Sequence, residues 1–202
     1  MSVSDAPGEA RSVAANTQVG TRLLASAIVF VFVSFVFAFF YLRAVNSNND
    51  FHPAHVNPTQ WYGIAIVICV LAAAGIFELA RRQLATPARP AWRSGAIVTL
   101  VLALIVVVLQ LVEYLTLPFK TAAGGYASVF WGWTLMFLLC WLGVTYWIET
   151  LVAQTLRGAP APAEGDDQLV TLLRPSADAC AVLLYTLGGI QVVTYLLLYL
   201  VK

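Results

Sequence analysis

Two polar residues in an otherwise apolar stretch are the best candidates for proton or ligand chemistry. Gln110 and Glu113 are three residues apart, so a helix would place them on one face. A carboxylate inside a membrane helix indicates proton or ion handling unless a structural partner neutralises it. At 1.5 Å per residue, Glu113 lies about 27 Å along a helix that starts at Gly95, near a membrane boundary. We therefore favour a structural role, in which Glu113 pairs with Lys120, Arg43 or a partner subunit.

The only two histidines, His52 and His55, could bind a metal together with Asp50. Pro53 stands between the histidines and would break a helix there, so their spacing carries little weight. We favour an ordinary solvated loop. Haem and copper sites within membrane helices generally use histidine ligands, and no apolar run here contains one. The sequence therefore predicts no catalytic residue, metal or cofactor on this chain.

Other polar residues stand at the ends of apolar runs or inside them. Asp178 would begin the last run, where a carboxylate can cap backbone amides and face the positive end of the helix dipole. Gln191 lies about 20 Å further along that helix, inside the membrane, and would form an interhelical hydrogen bond. Glu78 precedes Arg81 and Arg82 by three and four residues, which predicts an ion pair at a helix end.

The composition is that of an integral membrane protein. Of the 202 residues, 60% are hydrophobic and 10% are charged, whereas average soluble domains carry about a quarter charged residues. A net charge of +1 gives no basic face for nucleic acid. The fold prediction is an all-α bundle of five transmembrane helices, in which residues 1–20 form a flexible N-terminal segment and residues 21–202 form the domain. Each helix follows an apolar run of about 20 residues, and the runs are Leu23–Leu42, Trp61–Leu79, Gly95–Leu115, Ala127–Ile148 and Ala179–Val201.

The distribution of basic residues predicts the orientation of this bundle. If the N-terminus is cytoplasmic, eight of the eleven Lys and Arg residues also lie on the cytoplasmic side, as the positive-inside rule requires. The C-terminus would then be outside. The eight residues are Arg11, Arg22, Arg81, Arg82, Arg89, Arg93, Arg157 and Arg174.

The junction between the third and fourth runs resembles that of a known family. The pattern is Gln110-Leu-Val-Glu113-Tyr114, then Pro118-Phe119, then Gly124-x-Tyr126-x-Ser128-x-Phe130. It is similar to the third-to-fourth helix junction of subunit III of haem-copper terminal oxidases, and the resemblance extends over about residues 20–200 in the short five-helix bacterial form. The positions that transfer are Gln110, Glu113, Tyr126 and Asp178.

The resemblance implies an accessory subunit of a respiratory oxidase in the bacterial inner membrane. Such a subunit holds no metal, packs against subunit I, binds membrane phospholipid and supports proton uptake and turnover stability. We also expect subunit II as a partner. Haem and copper are expected on the partner subunits. Whether the electron donor is cytochrome c or quinol would be decided on those subunits.

This chain also departs from the family pattern. The acidic residue that the family places in the first of these helices falls at or near Ile28. The two histidines of its fourth helix fall on Phe137 and Cys140, and its Trp-His pair before the last helix falls on Arg174-Pro175. Roles that depend on those polar side chains do not transfer to this chain.

Three alternatives to an oxidase subunit stay open from the sequence. A subunit III-like protein could serve a nitric oxide reductase. A small transporter or channel would need polar residues along a path near the membrane midplane, and few occur here apart from Gln191. The chain could also be a scaffold subunit of another membrane complex.

Overall fold

The computed structural model describes residues 6–45, 51–52, 56–84, 89–157 and 166–201. Within these ranges the chain is helical except for short connecting segments, and five helices are long and apolar enough to cross a membrane. This confirms the predicted all-α fold with five spans, whereas the orientation stays a prediction. The helices are α1 (Ala6–Val45), α2 (Gln60–Gln83), α3 (Arg89–Thr116), α4 (Gly125–Arg157) and α5 (Asp166–Tyr195). A π-helix of residues Leu196–Val201, called the terminal turn below, continues α5.

Successive helices run in opposite directions, so each end of the bundle collects alternate connections. One end, called the C-terminal end below, contains the α1–α2 and α3–α4 connections and the terminal turn. There Arg43 of α1 and Gln60 of α2 donate hydrogen bonds to carbonyl groups of the terminal turn. The opposite end, called the N-terminal end, contains the starts of α1, α3 and α5 and the ends of α2 and α4. Here Trp92 of α3 donates to Thr155 of α4 over 3.0 Å.

All five helices begin earlier than the sequence predicts, and α1, α3 and α5 do so by at least six residues. Helix α1 starts at Ala6, so most of the segment predicted as flexible, residues 1–20, is helical. Alanine and straight-chain polar residues have good helix propensity, and the long apolar helix that follows removes the need for a separate nucleus. Helix α5 starts at Asp166 and contains Pro175. The prediction that the fifth helix begins at Asp178 is therefore wrong.

The turn between α3 and α4 follows the sequence prediction. Helix α3 ends at Thr116, two residues before Pro118, because proline disfavours helical geometry in the residue that precedes it. A short 3₁₀ helix, Thr121–Ala123, then leads to Gly124, whose φ of 145° lies in a region that residues with a side chain rarely adopt. Gly124 therefore allows the chain to enter α4 at the next residue.

The core of the bundle is aromatic, and its indole groups have hydrogen-bond partners on neighbouring helices. Trp133 of α4 donates to the Thr194 hydroxyl of α5 over 2.6 Å. Trp141, eight residues further along α4, donates to the Ala103 carbonyl of α3 over 3.0 Å. Both indoles are fully buried. These bonds satisfy groups that would be costly to leave unpaired in apolar surroundings, and they fix α4 between α3 and α5.

Glycines mark the closest approaches between helices. A Cβ added at Gly95 of α3 would lie 2.5 Å from the Ala80 Cβ of α2. A Cβ added at Gly63 of α2 would lie 2.7 Å from the Tyr199 ring. Small residues let membrane helices approach closely. Helix α2 also carries small residues at four- and three-residue spacing, of which Ala73 is fully buried; they are Ala65, Cys69, Ala72 and Ala73.

We predict that Gly95→Ala destabilises the bundle by about 1–3 kcal/mol, because the added methyl group forces α2 and α3 apart. Gly75→Ala is the matched control, since a Cβ at this exposed α2 position meets nothing within 4 Å. The control should be neutral or slightly stabilising, because alanine has the higher helix propensity. Thermal unfolding of the two variants in the same detergent measures the difference. Equal unfolding midpoints for the two variants would contradict the prediction, because α2 and α3 would then accommodate the added methyl group without loss of stability.

Candidate functional site

Glu113 lies at the C-terminal end of the bundle and binds two neutral donors. The Gln110 amide, three residues earlier on α3, donates to Oε2 over 2.8 Å. The Tyr199 hydroxyl of the terminal turn donates to Oε1 over 2.5 Å. Glu113 is 1% exposed and Gln110 is 2% exposed, so both bonds are inside the protein. A buried carboxylate with one donor on each oxygen links α3 to α5.

The cations that we proposed as partners of Glu113 do not bind it. Arg43 instead donates from Nη1 to the Val201 carbonyl over 3.3 Å, and Lys120 is exposed. Among the described residues, the ion pairs all lie at the N-terminal end of the bundle. The hydroxyl of the buried Tyr199 needs a partner of its own. Its bond to Glu113 meets this need, so Tyr199 takes the place that the sequence assigned to a cation.

Tyr126 secures the start of α4 by its backbone and its side chain. Its N–H donates to the Phe51 carbonyl over 2.9 Å, and its hydroxyl donates to the Leu198 carbonyl of the terminal turn. The ring is fully buried, and the His52 ring packs edge-on against it at 4.4 Å between centroids. Tyr126 therefore joins the α1–α2 connection, α4 and α5.

Three carbonyl groups of the terminal turn accept side-chain donors from three different helices. The carbonyl of Tyr199 accepts from Gln60 of α2 over 3.4 Å. The carbonyls of Leu198 and Val201 accept from Tyr126 and Arg43, as described above. The last carbonyls of any helix lack partners within the helix, and these donors satisfy three of them. We call this set of residues the polar clamp. Its members are Arg43, Gln60, Gln110, Glu113, Tyr126 and Tyr199.

Asp178 takes part in a second polar cluster, at the N-terminal end of the bundle. It lies inside α5 rather than at its start and forms an ion pair with Arg81 of α2. The predicted capping role is therefore wrong, because α5 begins twelve residues earlier. Glu78 forms the predicted ion pairs with Arg81 and Arg82, both at 2.7 Å. This cluster ties α2 to α5 at the end opposite the polar clamp.

Gln191 lies in the interior of the bundle, where it is 3% exposed. Its Oε1 accepts no hydrogen bond from the part of the chain that the structure describes. This atom therefore does not make the predicted interhelical hydrogen bond. The neighbouring contact of α5 with α2 is apolar, since a Cβ at Gly188 would lie 3.6 Å from a Leu71 methyl group.

The proposed metal ligands at the α1–α2 connection can be followed only in part. His52 packs against Tyr126, whereas Asp50 and His55 lie outside the described residues. Across the described ranges, no group of three His, Cys, Asp or Glu side chains is placed to hold a metal ion. The chemistry that the described polar groups support is hydrogen bonding between helices.

Sequence reasoning missed Tyr199 and Gln60, which complete the polar clamp. Tyr195 and Tyr199 are four residues apart and stack at 5.6 Å between ring centroids. This spacing at the end of an apolar run could have indicated a tyrosine turned toward the core. Gln60 stands at the first position of α2, where a polar residue looks like an ordinary helix end.

Comparison with known proteins gives one family. A family model described as cytochrome c oxidase subunit III matches residues 6–155, about three quarters of the chain. The match includes the α3–α4 junction and thus confirms the resemblance found there. Helix α5 and the terminal turn lie beyond the matched range. No curated protein matches the chain.

We predict that Glu113 and Tyr199 are energetically coupled. Glu113→Ala would leave two buried donors without an acceptor, which costs about 1–3 kcal/mol for each. After that change Tyr199→Phe should cost much less than it does in the wild type. A double-mutant cycle on unfolding free energies should therefore give a coupling energy of about 1–3 kcal/mol. The exposed pair Tyr146 and Glu149 of α4 serves as the control cycle and should give a coupling near zero.

We predict that Asp178→Asn weakens the N-terminal end of the bundle. The change removes the charge opposite Arg81 and leaves Glu78 as its remaining ionic partner. Because both side chains of the pair are 28% exposed, the cost should lie between those of surface and buried pairs, at about 1–3 kcal/mol. Glu149→Gln at an exposed site is the control. A variant as stable as the wild type would mean that solvent screens the pair fully.

Proposed function

This chain belongs to the cytochrome c oxidase subunit III family, and we propose from this membership that it is an accessory subunit of a bacterial respiratory haem-copper oxidase. The family match over residues 6–155 is the observation that carries this proposal. In this role the chain performs no catalysis, and the complex reduces oxygen to water. The chain stabilises the catalytic subunit and supports its proton uptake.

The distribution of polar groups supports a packing role. Gln110, Glu113 and Tyr126 are buried and bind groups of this same chain. The surface of the helices is apolar, with large side chains such as Phe30 and Leu115 exposed by 74% and 86%. A membrane subunit with such a surface offers apolar helix faces to lipid and to neighbouring subunits.

The proposed partners are oxidase subunits I and II together with membrane phospholipid. Haem and copper belong to those subunits in this proposal. The proposed location is the bacterial inner membrane, with the N-terminus in the cytoplasm. This orientation places Arg81 and Arg82 on the cytoplasmic side and the polar clamp at the outer side.

The grooves beside α1 favour packing over transport. One groove of about 430 Å³ lies between α1 and α4, and one of about 410 Å³ lies between α1 and α5. Phe32 lines both, and the side chains around it are almost all apolar. A transport path would need polar residues along its length, and these grooves do not supply them.

The purification of the intact complex tests the proposed function. An affinity tag on this chain, with extraction from its native membrane in mild detergent, should recover a haem-bearing subunit I in stoichiometric amount. The recovered complex should reduce oxygen, and the same chain expressed alone should show no haem absorbance. Recovery of a nitric oxide reductase, or of a complex without haem, would contradict the oxidase assignment. A tightly bound stoichiometric haem in the isolated chain would contradict the accessory role.

A further inference from the structure

The terminal turn, Leu196–Val201, binds every other helix of the bundle through at least one polar group. The carbonyls of three of its residues accept donors, and its one buried tyrosine hydroxyl donates. The partners lie between 72 and 158 residues earlier in the chain. They are Arg43 of α1, Gln60 of α2, Glu113 of α3 and Tyr126 of α4.

Two of the six residues of the terminal turn are buried in the core of the bundle. Leu198 is 0% exposed and Tyr199 is 2% exposed. The Tyr199 ring fills the space left by Gly63 and meets Phe130 edge-on, at 5.8 Å between centroids. Withdrawal of the turn would therefore leave a large space among α2, α3 and α4 and would expose polar atoms that are now paired.

The N-terminal end of the bundle has its own connections, which do not involve the terminal turn. Arg81 and Asp178 link α2 to α5. Trp147 of α4 donates to the Ser176 hydroxyl of α5 over 2.9 Å. The close contact of Gly95 with Ala80 joins α3 to α2. This end can thus keep its packing while the other end changes.

We propose that the terminal turn is a latch. It opens and closes together with the C-terminal end of the bundle, as one cooperative unit that is separate from the N-terminal end. Proteins open in such contiguous units, each with its own free energy. The physical reason is that four helices share one six-residue partner, so release of that partner removes their common contacts in a single step.

Hydrogen exchange measured by mass spectrometry on the full-length chain in its purified complex tests the latch. Peptides that cover residues 196–201, 110–116 and 126–130 should exchange with one common opening equilibrium. Peptides near Asp178 should be more strongly protected. The wild-type measurement alone can overturn the proposal: it fails if residues 196–201 exchange rapidly while the ends of α3 and α4 stay protected.

The variant Tyr199→Phe removes one donor and keeps the ring. It should speed exchange of the three C-terminal-end peptides by the same factor, roughly three- to tenfold, and leave the peptides near Asp178 unchanged. Tyr146→Phe, at an α4 tyrosine that is 68% exposed, is the matched control and should change none of them. Equal acceleration at both ends of the bundle would show a single global unit and would overturn the proposal.

Discussion

The backbone carbonyls at the last turn of α5 impose the constraint on which this bundle depends. The last carbonyls of a helix lack partners within the helix and need donors from elsewhere. In this chain the donors come from other helices, because Tyr126, Gln60 and Arg43 each reach a different carbonyl. Satisfying one helix end therefore fixes the positions of three others. The Tyr199–Glu113 bond adds the fourth, and the π-helical geometry of the turn brings the carbonyls and this hydroxyl to the same place.

The packing of α2 shows why small residues are needed as well as polar ones. In lipid no hydrophobic force drives apolar helices together, so close contact and hydrogen bonds must hold them. Gly63 lets the Tyr199 ring approach to the distance at which its hydroxyl reaches Glu113. Gly95 brings α3 against Ala80 near the ion pair of Arg81 with Asp178. At each end of the bundle, a glycine contact therefore accompanies the polar contact.

The sequence predicted the features that depend on local composition. The five spans and the turn through Pro118 and Gly124 follow from apolar runs of membrane length and from backbone restrictions. The start of α5 was missed, because Pro175 and the polar residues before it suggest a helix boundary, whereas the helix continues to Asp166. The partner of Glu113 was missed for a different reason. Charge complementarity favours Arg43 or Lys120, and only the fold brings a tyrosine 86 residues away into contact.

Two of the departures from the expected family pattern lie in one groove of the structure. Ile28 and Cys140, at or near which the resemblance places polar residues, line the same groove of about 430 Å³ between α1 and α4. Phe137, the third such position, is buried on α4 and stacks on Trp141 at 5.9 Å between centroids. Loss of one member of a buried polar set leaves the others unpaired, which costs more than replacing all of them with apolar groups. Apolar residues at all three positions therefore leave no polar member of such a set unpaired. The Gln110–Glu113 pair and Tyr126 keep the polar contacts that join the helices at the C-terminal end of the bundle.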